Sequence, residues 1–264
     1  MSSQTEIYLT RYFKVAPLSL SIWRAVEAKH LSRVNLKRPL LDIGCGFGEF
    51  AGVFFNSHVE MGVDIDYENL VEAMKGKKYL SLSRADARNL PFADGSFSSV
   101  ISISTLEHIR GVEKAIKEAY RVLKPGGIIA ITVLTDKIAD CLFYGPLLRR
   151  IGFAKLGSLY TDLYNKVFKH HTVLEKKEWE KQIARVGFKI EESREIISPT
   201  ITRLFDVFLI TALPSQVLKK AFGRRVIFRP RFVLIFLTRI FIKYVEEEED
   251  EGSNLFIVAR KPKR

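Results

Sequence analysis

Gly44, Gly46 and Gly48 close an apolar run, LLDIGCGFGEF (40–50), at the point where a strand should turn into a helix. Glycines at such a turn take backbone dihedrals that other residues avoid, and they let a ligand come close to the main chain. The third glycine stands one residue earlier than in the G-x-G-x-x-G of dinucleotide sites, which argues against NAD or FAD. Asp64, in GVDID (62–66), falls at the tip of the next strand. A carboxylate there can accept hydrogen bonds from both hydroxyls of a ribose. Asp86, between Ala85 and Ala87 after the third strand, can receive the amino group of an adenine. Each acid taken alone is as readily a turn residue. Three successive strand tips bearing such groups point to one nucleoside-containing ligand.

Proton transfer falls to histidines if it is needed at all. The candidates are His108, in STLEHI (104–109), and His171, from the pair His170-His171. The pair also reads as a polar loop or a helix cap, and His108 as a structural or ligand-side group, so no base is assigned. Cys45 and Cys141 are the two cysteines; they give no disulfide framework and no metal-ligand spacing, and a reducing cytosolic setting is the default. The run EEEEDE (246–251) reads as a solvated loop, and no metal site is expected.

The elements that must position these groups follow from periodicity. Residues 1–38 read as a helical segment. From 39 to about 135, strands alternate with helices, as in parallel βαβ units. The expected strands are Leu40–Ile43, Val59–Val63, Tyr79–Ser83, Val100–Ser104 and Ile128–Val133, with Lys124-Pro125-Gly126-Gly127 stopping the helix before the last. Residues 136–187 read as helical and end in EKKEWEKQIARVGF. Strands should follow at Phe188–Ile196 and Leu255–Arg260. Residues 39–197 plus 254–264 thus form an α/β domain, and 198–253 interrupt it as a helical, basic and apolar insertion before the last strand.

DIGCGFG, GVDID, ADARNLPFADGSF, STLEHI and EAYRVLKPGGIIAITV resemble, in order and spacing, the motifs of class I S-adenosylmethionine-dependent methyltransferases, and within them the ubiquinone and menaquinone biosynthesis enzymes. The resemblance covers about residues 38–135. It implies a Rossmann-like seven-stranded sheet in the order 3-2-1-4-5-7-6 with strand 7 antiparallel. It also implies S-adenosylmethionine as cofactor. Asp42, Gly44, Gly46 and Gly48, with Cys45 among them, would line the methionine end. Asp64 would hold the ribose, Ile65 would flank the adenine, Asp86 beside Ala87 would bind its amino group, and Ser104 would sit where the fourth strand opens onto the cofactor. Asp66 stands where many relatives carry serine, which makes it the rival of Asp64 for the ribose.

Charge separates the insertion from the rest. Nine basic residues between 201 and 245 face one acid, Asp206, and this stretch carries two thirds of the net charge of +12. Such a patch favours an anionic partner. VIFRPRFVLIFLTRIFIKYV (226–245) has the length of a bilayer span, but Arg239 near the bilayer centre would cost roughly 3 kcal/mol, which argues against spanning. On a helical wheel Thr238, Arg239 and Lys243 form a narrow polar face opposite a broad apolar one, as in a helix lying in a membrane interface. ITRLFDVFLITALP and SQVLKKAFGRR suggest two further amphipathic helices. The sequence thus suggests a methyltransferase acting at the cytoplasmic membrane face on a hydrophobic or lipid-linked small molecule. Three readings stay open beside it: a soluble enzyme whose insertion is a lid or dimer interface, a non-catalytic cofactor-binding partner, and, last, a nucleic-acid binder, which no recognisable motif supports.

Overall fold

The computed structural model describes residues 3–209, 229–248 and 251–263. In chain order the elements are α1 (Gln4–Val15), α2 (Leu18–Leu31), β1 (Leu40–Ile43), α3 (Glu49–Phe54), β2 (Val59–Asp64), α4 (Tyr67–Lys75), β3 (Tyr79–Arg84), β4 (Phe97–Ile103), α5 (Val112–Val122) and β5 (Leu123–Leu134). There follow α6 (Ile138–Cys141), α7 (Tyr144–Arg150), α8 (Ala154–Val167), α9 (Lys176–Arg185), β6 (Lys189–Glu195), α10 (Pro199–Phe208), α11 (Arg231–Glu246) and β7 (Asn254–Arg260). They fall into two compact units. One is helical, made of Met1–His30, Lys137–Val167 and Glu195–Ser253; the other carries the sheet and comprises Leu31–Asp136, Phe168–Arg194 and Asn254–Arg264.

In the sheet unit the seven strands run β3-β2-β1-β4-β5-β7-β6. The pairs from β3 through β5 are parallel, and β7 runs antiparallel to β5 with Ile257 opposite Ile131. Strands covered on both faces need continuous apolar runs, and LLDI of β1 is buried throughout. Helix α5 buries Val112, Ala115, Ile116, Ala119 and Val122, the helical stripe that a sheet face demands. Each large side chain buried in this way contributes roughly 1.5–3 kcal/mol. Trp179 of α9 is fully buried in the same core, and its indole N–H donates to the Leu134 carbonyl at 3.0 Å. Lys124-Pro125-Gly126-Gly127 does end α5, but those residues already belong to β5, which starts at Leu123 rather than Ile128.

In the helical unit, α1 packs along α11 through Phe13 and Phe241, with Thr10 and Thr238 sharing a hydrogen bond of 3.0 Å. Lys29 of α2 donates to the carbonyls of Val245 and Glu246, capping the C-terminal end of α11. The α7–α8 hairpin closes on two glycines: a Cβ at Gly157 would stand 2.6 Å from the Gly145 carbonyl oxygen. Asp206, the lone acid of the basic stretch, is buried and accepts the N–H groups of Phe143 and Tyr144 at the start of α7, together with the hydroxyl of Tyr160.

Two sequence expectations change here. Thr238 is not on a polar outer face; with Leu234, Phe241 and Val245 it forms the buried stripe of α11. Arg239 and Lys243 instead share the outward face with exposed Phe232, Ile235, Phe236 and Ile240. The wheel failed because the inner face of α1 offers Thr10, a partner that periodicity does not reveal. The helix expected over SQVLKKAFGRR lies outside the described residues, and the acidic run 246–251 does so in part.

Candidate active site

Parallel pairing of β1 through β4 brings the chain segments after Ile43, Asp64, Arg84 and Ile103 to one edge of the sheet. Gly44, Gly46 and Gly48 all have positive φ, at +74°, +53° and +72°. That is the left-handed region which side-chain-bearing residues pay for with strain. A Cβ at Gly44 would meet Thr105 Cγ2 at 2.1 Å, so this glycine is required by the close approach of the β4 tip. A Cβ at Gly46 would meet nothing within 4 Å, which leaves bare main chain facing open space.

Asp64 ties this turn to the tip of β2. Its Oδ2 accepts from Gly46 N at 2.9 Å, and its Oδ1 accepts from Asp66 N at 2.9 Å and from the Asn69 amide at 3.1 Å. Asp66 points elsewhere: it is the N-cap of α4, accepting from Glu68 N. The carboxylate that borders the glycine turn is therefore that of Asp64. Ile65, beside it, exposes 60% of its surface, unusual for an isoleucine at a strand end.

Beneath the turn, buried Asp42 accepts the Tyr79 hydroxyl at 2.7 Å. The Tyr79 ring fills the space left by Gly62 and Gly48, whose added Cβ atoms would lie 2.8 Å and 3.2 Å from it. Burial, with Asp42 second, pushes the Tyr79 hydroxyl well above the usual phenol range, so it stays a donor. Burial, followed by the charges of Asp42 and Asp64, likewise pushes the Cys45 thiol up. Cys45 is thus a neutral lining group and no nucleophile.

Asp86 is gripped by Arg88, whose Nε and Nη2 reach both carboxylate oxygens at 2.6–3.1 Å and whose backbone N–H adds a fourth contact. The Arg88 side chain holds Asp86 below the ordinary carboxylate range. Ala87 is half-buried between them. Ser104 has φ +46°, a left-handed serine held by donation from its N–H to the carbonyl and hydroxyl oxygens of Thr132. Strain of about 1 kcal/mol at a strand tip is of the kind found at ligand sites.

The histidines gather on one loop pairing. The backbone N–H groups of His171 and Thr172 donate to the Glu107 carbonyl at 2.8 Å and 2.9 Å, pinning residues 168–172 to the short turn Leu106–His108. His108 Nδ1 lies 3.2 Å from the Lys169 carbonyl, an acceptor only, so Nδ1 carries the hydrogen of that contact. The His108 ring stacks on His170 at 5.3 Å, and His170 stacks on Phe168 at 5.8 Å. Burial first, then the neighbouring His108 and His171, pushes His170 down to about 4. The side chain of His171 is exposed. His170, which sequence reasoning treated only as half of a pair, is thus a histidine whose protonation the fold alters.

A methyltransferase-domain family model matches residues 41–131. An uncharacterized protein of Methanocaldococcus jannaschii is 30% identical over 180 residues, which are 67% of this chain and 78% of that one. The ubiquinone/menaquinone biosynthesis C-methyltransferase of Haemophilus ducreyi is 31% identical over 120 residues, 41% of this chain and 46% of its own. Residues 41–131 thus belong to an S-adenosylmethionine-dependent methyltransferase domain. The crystal structure of an S-adenosylmethionine-dependent methyltransferase from Thermotoga maritima shares the fold, with a TM-score of 0.60 at 21% identity over 95% of this chain and 93% of that one. Against several curated methyltransferases the chain spans 25% to 49% of their length.

In this methyltransferase the sheet has the expected order and the expected antiparallel seventh strand. The structure joins Gly44, Cys45, Gly46 and Asp64 directly, since Gly44 N and Cys45 N both donate to the Val63 carbonyl. It connects Asp42 to them through Tyr79 and brings Ser104 alongside through Thr105, whose hydroxyl donates to the Gly44 carbonyl at 3.3 Å. Tyr79, Thr105 and Asn69 were not foreseen. Gly62 inside β2 was the one available signal, because a glycine within a strand marks a close neighbour.

Proposed function

We propose that this methyltransferase moves the methyl group of S-adenosylmethionine onto a hydrophobic or lipid-linked acceptor at a membrane surface. The carrying observation for the cofactor is the joint between Gly46 and Asp64. Oδ2 of Asp64 accepts one protein N–H and keeps a lone pair for a ribose hydroxyl. Ile65 offers an exposed apolar side to an adenine, and Asp86, with Ala87, offers its amino group an acceptor shared with Arg88. Asp42, Gly44, Cys45, Gly46, Gly48 and Ser104 form the methionine side, and the donor set fits the cofactor.

Bound there, S-adenosylmethionine supplies an electrophilic methyl on a sulfonium. The chain's share is positioning in a low-water pocket. Keeping the Cys45 thiol neutral prevents it from competing for the methyl group. Where the acceptor carries a proton, His108 or His171 takes it. For the acceptor, the outward face of α11 supports the reading: Phe232, Phe236 and Ile240 beside Arg239 and Lys243 suit an anionic lipid interface. No described helix is long and apolar enough to cross a membrane. The likeness to a quinone-pathway enzyme supports a hydrophobic acceptor.

Incubation with radiolabelled S-adenosylmethionine and separated lipid, soluble and RNA extracts tests this. Label is expected in the lipid fraction. Label confined to RNA or to the soluble fraction overturns the acceptor class, and no heat of S-adenosylmethionine binding in calorimetry overturns the whole reading.

A further inference from the structure

The α7–α8 hairpin of the helical unit carries an apolar surface that the sequence reading did not single out. Leu156, Leu159, Leu163 and Val167 of α8 expose 51%, 62%, 54% and 64% of their surface, where the comparable residues of α5 expose 2% or less. At 100° per residue these four lie within about 80° of one another, a continuous stripe along the helix. Ile151 and Phe153, at the hairpin tip, extend it with 57% and 55% exposure. One edge of the stripe meets the face that α8 buries through Gly157 and Tyr164. The other edge is bordered by exposed Lys155 and Lys166. Fourteen residues make a helix about 21 Å long, too short for the hydrocarbon thickness of a bilayer, so such a helix can only lie along an interface.

We propose that the α7–α8 hairpin seats on an anionic lipid surface, with the leucine stripe in the acyl boundary and Lys155 and Lys166 at the headgroups. Charge selects this occupant. Residues 143–167 hold four basic side chains against Asp162, with Arg149 also paired to Asp140 at 3.2 Å, in a chain of net charge +12. A second copy laid stripe to stripe would oppose like charges, whereas anionic headgroups meet them, each lysine contributing while its aliphatic stem covers apolar surface. The inference shares its partner class with the membrane half of the proposed function but rests on a different helix pair.

The test uses the full chain and vesicles of phosphatidylcholine with phosphatidylglycerol. Leu159→Glu/Leu163→Glu, both at exposed positions, should lower vesicle affinity at least tenfold while S-adenosylmethionine binding by calorimetry is unchanged. Leu163→Trp provides a second readout, because the native Trp23 and Trp179 are buried. Its emission should shift to the blue on adding anionic vesicles, and less with pure phosphatidylcholine. Emission already blue without lipid, or unmoved by lipid, overturns the proposal. So does a sedimentation shift from dimer to monomer in the glutamate pair with vesicle affinity retained, which assigns the stripe to a second copy. Phe232→Glu/Phe236→Glu in α11 separates the two membrane statements. Loss with that pair alone sinks the hairpin and leaves the proposed function standing, and absence of wild-type vesicle binding removes both while the cofactor site is judged by calorimetry.

Discussion

Asp64 Oδ2 accepts the backbone N–H of Gly46 at 2.9 Å, and through that bond the tips of β1 and β2 become one surface. The same carboxylate collects Asp66 N and Asn69 Nδ2 on its other oxygen. Three donors fix its orientation before any ligand arrives, so a ligand held by this carboxylate need not order it.

Asp64→Ala should therefore weaken S-adenosylmethionine binding about 100-fold or more, since hydrogen bonds to a charged acceptor are worth roughly 1.5–3 kcal/mol each. Asp66→Ala removes an N-cap, costing about 1 kcal/mol of stability, and should leave affinity within about threefold. Titration calorimetry on both variants decides between the two acids. A larger loss in Asp66→Ala than in Asp64→Ala would reverse the assignment.

Gly44→Ala meets two obstacles, a φ of +74° and Thr105 Cγ2 at 2.1 Å. The left-handed backbone alone costs about 1–2 kcal/mol, and the clash adds to it, so a loss of about 3 kcal/mol or more is expected in urea unfolding. Thr105→Ala in the same chain removes the methyl and the hydroxyl but leaves its Cβ at 2.8 Å. It should restore only part of the loss. Full restoration would show that the backbone conformation carries no cost.

Much of this architecture could be read before the fold was known, and the reasons are local. Strand runs such as LLDI and NLFIVAR are largely apolar and buried on both faces, and the glycines that follow β1 can serve few purposes except a tight turn. What stayed hidden depends on contacts distant in sequence. Tyr79 reaches Asp42 across 37 residues, Thr238 finds Thr10 across 228, and His170 owes its altered protonation first to burial and then to His108, 62 residues away. The lone Asp206 in a basic stretch looked incidental; its partners, Phe143, Tyr144 and Tyr160, lie in a segment assigned to the other domain.

Asp206→Ala should destabilise the protein by about 3 kcal/mol, because two N–H groups of α7 and the Tyr160 hydroxyl lose a charged acceptor. For a chain of this size that lowers Tm by roughly 6–12 °C. Tyr160→Phe leaves both backbone donors satisfied and should cost only about 1 kcal/mol. Thermal melts of the two variants check the ranking, and equal losses would mean that the hydroxyl, not the helix start, dominates.

The burial of His170 beside His108 makes a prediction about acid. His170 is held at about 4 in the folded chain, against roughly 6.5 for an unperturbed imidazole. As pH falls, the unfolded chain takes up this proton first, so protonation favours unfolding. The neutral ring's contribution is complete above about pH 6.5, is lost progressively between about 6.5 and 4, and changes no further below. The shift corresponds to a loss on the order of 2–3 kcal/mol across that window. His170→Phe keeps a flat ring against Phe168 and His108 and cannot titrate. Urea unfolding at pH 7, 5.5 and 4.5 should show the variant losing less stability than wild type by about that amount. Parallel losses in the two proteins would show that His170 does not carry the titration, and would remove the reason for singling it out in this loop.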